Sequence, residues 1–168
     1  MVYTIKLIPE IRHRFMSRSI INNAGSARIR KHVKTLLDTG AFNTMIDIVL
    51  AKRYAVLLPN MEFQITIGGN AGLAQGCIIP KLEMGNFVAE RVFALAYPFS
   101  DWLMRHIIIG ANVINNWELT ILRAEDELRF CERIPEYVPN KEHPYQNYFK
   151  GGEYVAILDD DLKRGQIL

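Results

Sequence analysis

Apolar and polar positions alternate along most of this chain in short runs closed by glycine, asparagine or proline, the period-two pattern of half-buried strands. Val2 to Pro9 alternates in this way and is β-branched, and a second strand ends in the turn Ile20-Ile21-Asn22-Asn23-Ala24-Gly25. Arg28 to Leu37 leads as a strand, through Ile29, Val33 and Leu36-Leu37, into Asp38, where Thr39-Gly40-Ala41 breaks it. From Thr44 to Tyr54 the apolar residues fall at mixed spacing, which suits a strand or a short helix. Phe63-Gln64-Ile65-Thr66-Ile67 alternates again, Gly68-Gly69-Asn70-Ala71-Gly72 and Gly76 interrupt, and Cys77-Ile78-Ile79 resumes, which predicts a hairpin with a glycine-rich tip. A second hairpin joins Lys81 to Met84 with Phe87 to Tyr97 through Gly85-Asn86.

Further on, Ser100-Asp101 caps a helical turn through Arg105, and His106 to Ile109 is an apolar strand stopped by Gly110. Ala111 to Asn116 reads as a short helix. A last hairpin, Trp117 to Leu122 with Leu128 to Cys131, turns around Ala124-Glu125-Asp126-Glu127. The fold class is therefore all-β, with many short strands and little helix. From Pro135 the composition shifts to Pro, Asn, Lys, Tyr and Gly, which predicts one domain over residues 1–134 and, over 135–168, an extension packed loosely on it. A chain of 168 residues, 49% hydrophobic, has enough apolar surface for one core.

Charge is nearly balanced, with Lys+Arg 20 against Asp+Glu 18, so no nucleic-acid partner is expected from the total. The distribution is uneven: Arg12, Arg14, Arg18, Arg28, Arg30, Lys31 and Lys34 lie in a stretch without an acid, whereas Asp159-Asp160-Asp161 lies near the other end. No aromatic-rich binding motif accompanies the basic run, which reads as solvated strand edges. Cys77 and Cys131 lie far apart with no Cys or His at ligand spacing, and His13, His32, His106 and His143 show no paired spacing. No metal is expected. The absence of an apolar run near the ~20 residues of a membrane span predicts no membrane partner and a cytoplasmic location. No Gly-x-Ser-x-Gly elbow marks a covalent hydrolase, and the glycines of 68–76 lack the Gly-Lys-Thr/Ser ending of a nucleotide loop.

Two segments carry chemistry. Leu36-Leu37-Asp38-Thr39-Gly40-Ala41-Phe42-Asn43-Thr44-Met45-Ile46 places an aspartate at an abrupt strand end, and Ile107-Ile108-Ile109-Gly110-Ala111-Asn112-Val113-Ile114 repeats the ending with a glycine, 72 positions later (110 minus 38). Together, with the glycine-rich hairpin between them, they resemble the retroviral-type (retropepsin-like) aspartic peptidases over roughly residues 28–132. The resemblance implies a closed-barrel subunit with one short helix after the second motif, acting as a homodimer on a peptide or protein substrate without a cofactor.

It further implies that Asp38, Thr39 and Gly40 are catalytic. Two carboxylates sharing one proton supply both a base for water and an acid for the leaving amide, and this chain offers one such motif, so the second Asp38 is expected from a symmetry mate. Thr39 would bond across the dimer axis, and Gly40 would let the backbone pass close to substrate. Substrate contacts would come from Ala41, from the flap residues Gly69, Asn70, Ala71 and Gly72, and from Ile109, with Ile46 and Ile109 suggesting apolar pockets. Thr44, Gly110 and Asn112 would brace the site. Ala41 stands where pepsin-type relatives often carry a serine, which implies activity nearer neutral pH. Many retroviral members pair an acid with an arginine where this chain has Phe42 and Ala111, so the dimer would be held by other parts, with Val2 to Pro9 and Trp117 to Leu122 as candidates. A non-catalytic dimeric peptide-binding module on the same fold is the alternative, with nothing in its chemistry to require an intact Asp38-Thr39-Gly40.

Overall fold

The computed structural model describes residues 2–8, 14–23, 25–67, 69–100, 103–114, 117–122, 125–132, 147–150 and 153–156. Strand β1 (Val2–Lys6) buries Tyr3 and Ile5 and exposes Val2 and Lys6, the alternation its sequence carries. Then come β2 (Met16–Asn23), β3 (Ser26–Leu37), β4 (Met45–Asp47), helix α1 (Ile48–Tyr54), β5 (Val56–Ile67), β6 (Asn70–Met84), β7 (Phe87–Tyr97), β8 (His106–Ile109) and helix α2 (Ala111–Ile114). Strands β9 (Trp117–Leu122), β10 (Glu127–Glu132), β11 (Asn147–Lys150) and β12 (Glu153–Ala156) follow.

One sheet runs in the order β2-β3-β8-β4-β7-β6-β5. It closes because β6 changes partner: it pairs with β5 over its first half and with β2 at Leu82 and Glu83. Six strands, from β2 round to β6, thus form a closed barrel filled by Ile21, Ile46, Ile79, Leu82, Val92 and Ile107, among others, all without exposed surface. Within it β3 and β8 are parallel, and β4 is antiparallel to β8 on its other side. Strand order alone therefore sends the loop from Asp38 to Thr44 across the end of β8.

The stretch from Thr44 to Tyr54, open between strand and helix, is both. Asp47 ends β4 and accepts from Val49 N at 2.8 Å, capping α1, while Leu50, Ala51 and Tyr54 bury one face of the helix. Lys52 and Arg53 occupy its last turn, where cations suit the helix dipole. At the other expected helical turn, Leu103 N donates to Ser100 O at 3.3 Å, while Asp101 lies outside the described residues.

The glycine-rich segment differs from its sequence reading. Strand β6 runs unbroken from Asn70, which pairs with Ile67, so the ladder continues to the very end of β5; Gly69 has φ +84°. Gly76 does not end a strand: a Cβ there would lie 2.8 Å from Met61 Sδ, so the glycine marks a close approach. Pro80 is also internal. The pair Pro80 and Arg91 drops out of the β6–β7 ladder, Pro80 having no N–H and Arg91 standing at φ 55°, and the register resumes at Lys81↔Glu90.

The basic run falls largely on β3. Its pairing with β8 begins at Lys34, so among the described residues the segment from Arg28 to His32 borders β2 alone, and all five of its residues are exposed. Charged side chains on such an edge discourage pairing with other chains, which accounts for the run without an anionic partner. Arg30 reaches Glu83 at 2.6 Å.

A smaller sheet, β1-β10-β9, packs on the barrel through three rings. Tyr3 stacks on Phe130 at 5.1 Å and meets Phe87 edge-on at 5.3 Å, and Phe87 and Phe130 lie 5.2 Å apart. Each pair contributes about 0.5–1.5 kcal/mol beyond its buried area. Gly85, at φ 59° in the β6–β7 turn, sits where a Cβ would come within 2.1 Å of Thr4 O. The next residue, Asn86, accepts from Thr4 N at 2.7 Å and donates to Val2 O at 3.3 Å, so its amide covers the outer edge of β1 as a neighbouring strand would. The extension expected over 135–168 lies mostly outside the described residues. Within it β11 and β12 pair antiparallel, two strands that the composition did not announce.

Candidate active site

Because β3 and β8 are parallel, Leu37 lies opposite Ile109, and the residues that follow them begin their loops side by side. Asp38 N donates to Ile109 O at 3.0 Å, and Ala41 N turns back to Asp38 O at 3.2 Å. Ala111 N donates to Ala41 O at 2.7 Å and Asn112 N to Phe42 O at 3.1 Å, which ties α2 to the loop that crosses it. The Asp38 carboxylate is oriented by Gly40 N, which donates to Oδ1 at 2.9 Å. A Cβ at Gly40 would sit 3.2 Å from that oxygen.

Beneath the loop a buried polar network is fully paired. Thr44 N and Thr44 Oγ1 both donate to Asn112 Oδ1, at 2.7 and 2.9 Å, and Gly110 N donates to Thr44 Oγ1 at 3.2 Å. Asn112 Nδ2 donates to Phe93 O at 3.1 Å, anchoring the network to β7. Gly110 has no room for a side chain: a Cβ would fall 2.5 Å from the carbonyl carbon and oxygen of Asn43 and 2.8 Å from Ala41 O. Thr44, Gly110 and Asn112 are thus brought together by hydrogen bonds.

Asp38 opens onto a cleft of about 530 Å³. Gly40, Ala41, Phe42, Asn43, Met45, Leu95 and Ile108 line it beside Asp38, and Phe63, Gln64, Ile65, Thr66 and Ile67 of β5 form the opposite wall. Among these lining residues Asp38 alone carries a charge. Thr39 is exposed at the tip of its turn and does not line the cleft.

Two expectations are corrected. Ile46 and Ile109, expected in apolar pockets, have no exposed surface and belong to the barrel core; their neighbours Met45 and Ile108 face the cleft instead. The error is one of parity, because adjacent residues of a strand point to opposite faces. Gly69, Asn70, Ala71 and Gly72 do lie on the hairpin that overhangs Asp38, at its turn and on β6, yet the wall of the cleft comes from β5. Ala71 and Gly72 line a second hollow with Gln64, Ile65, Thr66 and Leu73. Period-two alternation in Phe63 to Ile67 was the signal that could have singled out β5.

Neither cysteine enters the cleft. Burial pushes the Cys77 thiol up to about 12, which removes it as a nucleophile. Among the described residues no group of three or more His, Cys, Asp or Glu could hold a metal ion, and no helix is long and apolar enough to cross a membrane.

The sequence model of a family described as aspartyl protease matches residues 21–113, more than half of the chain, and this span contains Asp38, the hairpin, Gly110 and Asn112. The chain belongs to the aspartyl protease family. The family resembled in the sequence is thus the family found. Among solved structures, that of a retropepsin-like aspartic protease from Rickettsia conorii matches with 14% identity and a TM-score of 0.49, covering 77% of this chain and 90% of that one. No curated protein matches. Aspartyl protease membership supports a peptidase, and it places the matched span on the barrel and its cleft rather than on β9 to β12.

Proposed function

We propose that the chain is one half of an aspartic endopeptidase, in which two copies bring their Asp38 carboxylates together on a two-fold axis and hydrolyse peptide bonds without metal or covalent intermediate. The observation that carries this is the position of Asp38 at the end of β3, its carboxylate oriented by Gly40 N and open to a cleft roofed by β5.

One Asp38 takes a proton from a water molecule, and the resulting hydroxide adds to the peptide carbonyl. The other Asp38 protonates the carbonyl oxygen to give a gem-diol. The first Asp38 then passes the proton it took from water to the leaving nitrogen while the second takes one back from a gem-diol hydroxyl, so that the C–N bond breaks, the carboxylic acid forms and the shared proton is restored. Thr39, exposed beside Asp38, would meet its counterpart across the axis and stiffen both loops. An extended peptide would lie between Ala41 and the hairpin of Gly69 to Gly72, its apolar side chains against Met45, Leu95 and Ile108. Thr44, Gly110 and Asn112 would hold the loop under load. Residues 1–134 form the peptidase domain in this reading, and 135–168 its extension.

Of the two strands considered for joining the copies, β1 turns its outer edge to Asn86, which favours the outer edge of β9. The proposed setting is the cytoplasm, where Cys77 and Cys131 stay as thiols.

The test is cleavage of a mixed peptide library between mildly acidic and neutral pH, at several protein concentrations, with Asp38→Asn in parallel. The expected result is a specific rate that rises with dimer fraction and falls by roughly 10³-fold in the variant. No cleavage from a confirmed dimer would favour the binding module instead.

A further inference from the structure

The ladder between β6 and β7 ends at Gln75↔Ala96, whereas that between β5 and β6 continues to Ile67↔Asn70. Beyond Gln75 the hairpin, Glu62 to Ile67 against Asn70 to Ala74, therefore projects past the barrel, and among the described residues its strands pair only with each other. Such a hairpin needs side-chain seats to keep a fixed height. The inner seat is at its base, where Gly76 admits Met61 and Phe63, and Phe63 meets Phe93 edge-on at 5.9 Å.

The outer seat is Gly72. A Cβ on this residue would lie 2.7 Å from Tyr97 Cε2, 2.8 Å from its Oη and 3.1 Å from its Cζ, so the tyrosine ring rests against bare backbone. Tyr97 ends β7, with Phe99 6.3 Å behind its ring. Across the hairpin Gly72 pairs with Ile65, which lines the cleft over Asp38. Whatever lifts Gly72 lifts Ile65 with it.

We propose that Tyr97 is a positioning residue: seated on Gly72, its ring sets the height of the hairpin above Asp38 and so the grip on bound peptide. This rests on the peptidase reading for its consequence in catalysis, but not for the contact itself. Any side chain at position 72 must displace either the ring or the strand, because the two cannot share the space. A flap held at the correct height excludes water and holds substrate, so its loosening weakens binding before it slows chemistry.

The experiment follows amide hydrogen exchange over residues 62–75 and steady-state kinetics in parallel, for the wild type, Tyr97→Phe, Tyr97→Ala, Gly72→Ala and the double variant Gly72→Ala/Tyr97→Ala. Tyr97→Phe, which keeps the ring, is expected to keep the wild-type exchange. Tyr97→Ala and Gly72→Ala are each expected to speed exchange in the hairpin and to raise KM roughly tenfold while kcat changes by less than about twofold; the double variant is expected to be no worse than either single one, since both remove the same contact. Gly72→Ala takes nothing out of the core, so its exchange decides the matter should Tyr97→Ala loosen the whole barrel. Wild-type exchange over residues 62–75 in Gly72→Ala, or additive losses in the double variant, would overturn the proposal. Absence of cleavage by the wild type would sink the peptidase reading alone, because the exchange experiment reads the seat without any turnover.

Discussion

Thr44 donates twice to one oxygen, Asn112 Oδ1, from its backbone nitrogen at 2.7 Å and from its hydroxyl at 2.9 Å. One side chain of α2 thereby fixes the far end of the loop that begins at Asp38, and the same amide reaches Phe93 O on β7. Thr44 and Asn112 are almost wholly buried, so water cannot replace a lost partner. Asn112→Ala would leave the Thr44 N–H unpaired and deprive its hydroxyl of an acceptor. A loss of about 2–4 kcal/mol in urea unfolding is expected, since each buried group left unsatisfied costs about 1–3 kcal/mol. Asn112→Asp, which keeps the acceptor, should recover part of it at neutral pH. A loss below about 1 kcal/mol for Asn112→Ala would show that the network is not what holds the loop.

Gly110 is constrained more severely. A methyl group at this position would stand 2.5 Å from the Asn43 carbonyl, against backbone that cannot rotate away. Gly110→Ala is expected to lower stability by about 3 kcal/mol or more and to separate the loops that follow β3 and β8. Gly40→Ala meets only the Asp38 carboxylate at 3.2 Å, so it should fold nearly as well as the wild type while losing turnover. Thermal unfolding of the two variants side by side checks the contrast. Equal melting temperatures would contradict it.

Much of this could be read from the chain because its information was local. Asp38 and Gly110 each end an apolar run, and a turn motif at a strand end can be seen without knowing its neighbours. Other features depended on contacts distant in sequence. Gly72 and Gly76 looked like breaks, yet they serve Tyr97 and Met61, which no local pattern announces. Thr44 to Tyr54 mixed two periods because a short strand and a one-face helix meet at Asp47. Ile109 was misplaced by a single residue, since an unbroken apolar run such as Ile107-Ile108-Ile109 shows no alternation from which to take the facing.

Glu127 links the small sheet to pH. It begins β10, receives hydrogen bonds from Lys6 across the strand pair and from Arg129 on its own strand, and lies in the lower range of exposure for a charged residue. Those hydrogen bonds, Lys6 first and Arg129 second, hold its carboxyl below the ordinary glutamate value. With the folded state binding its proton less readily than the unfolded one, the contribution is complete above the ordinary value of about 4.3 and is lost as pH falls through the lowered folded value. Urea midpoints measured from neutral to acidic pH should therefore decline less steeply on the acid side for Glu127→Gln than for the wild type. Parallel declines would mean that other carboxylates govern acid sensitivity.

Ile108 and Ile109 are neighbours in sequence and opposite in consequence. Ile108 lines the cleft beside Asp38, whereas Ile109 has no exposed surface and faces the barrel core. A phenylalanine at 109 must be forced among close-packed side chains, so Ile109→Phe should destabilise the fold by about 1–3 kcal/mol without changing which peptides are cut. A phenylalanine at 108 has the open cleft to grow into. Ile108→Phe should leave unfolding closer to the wild type while shifting cleavage of a peptide library towards smaller side chains next to the cut bond. The cleft wall is otherwise uncharged, so charged side chains at those positions should be poor for both the wild type and Ile108→Phe, having no partner to offset their desolvation. If Ile109→Phe changed the cleavage pattern and Ile108→Phe did not, the facing of β8 would have to be reversed, and with it the parity that places Met45 and Leu95 on the cleft.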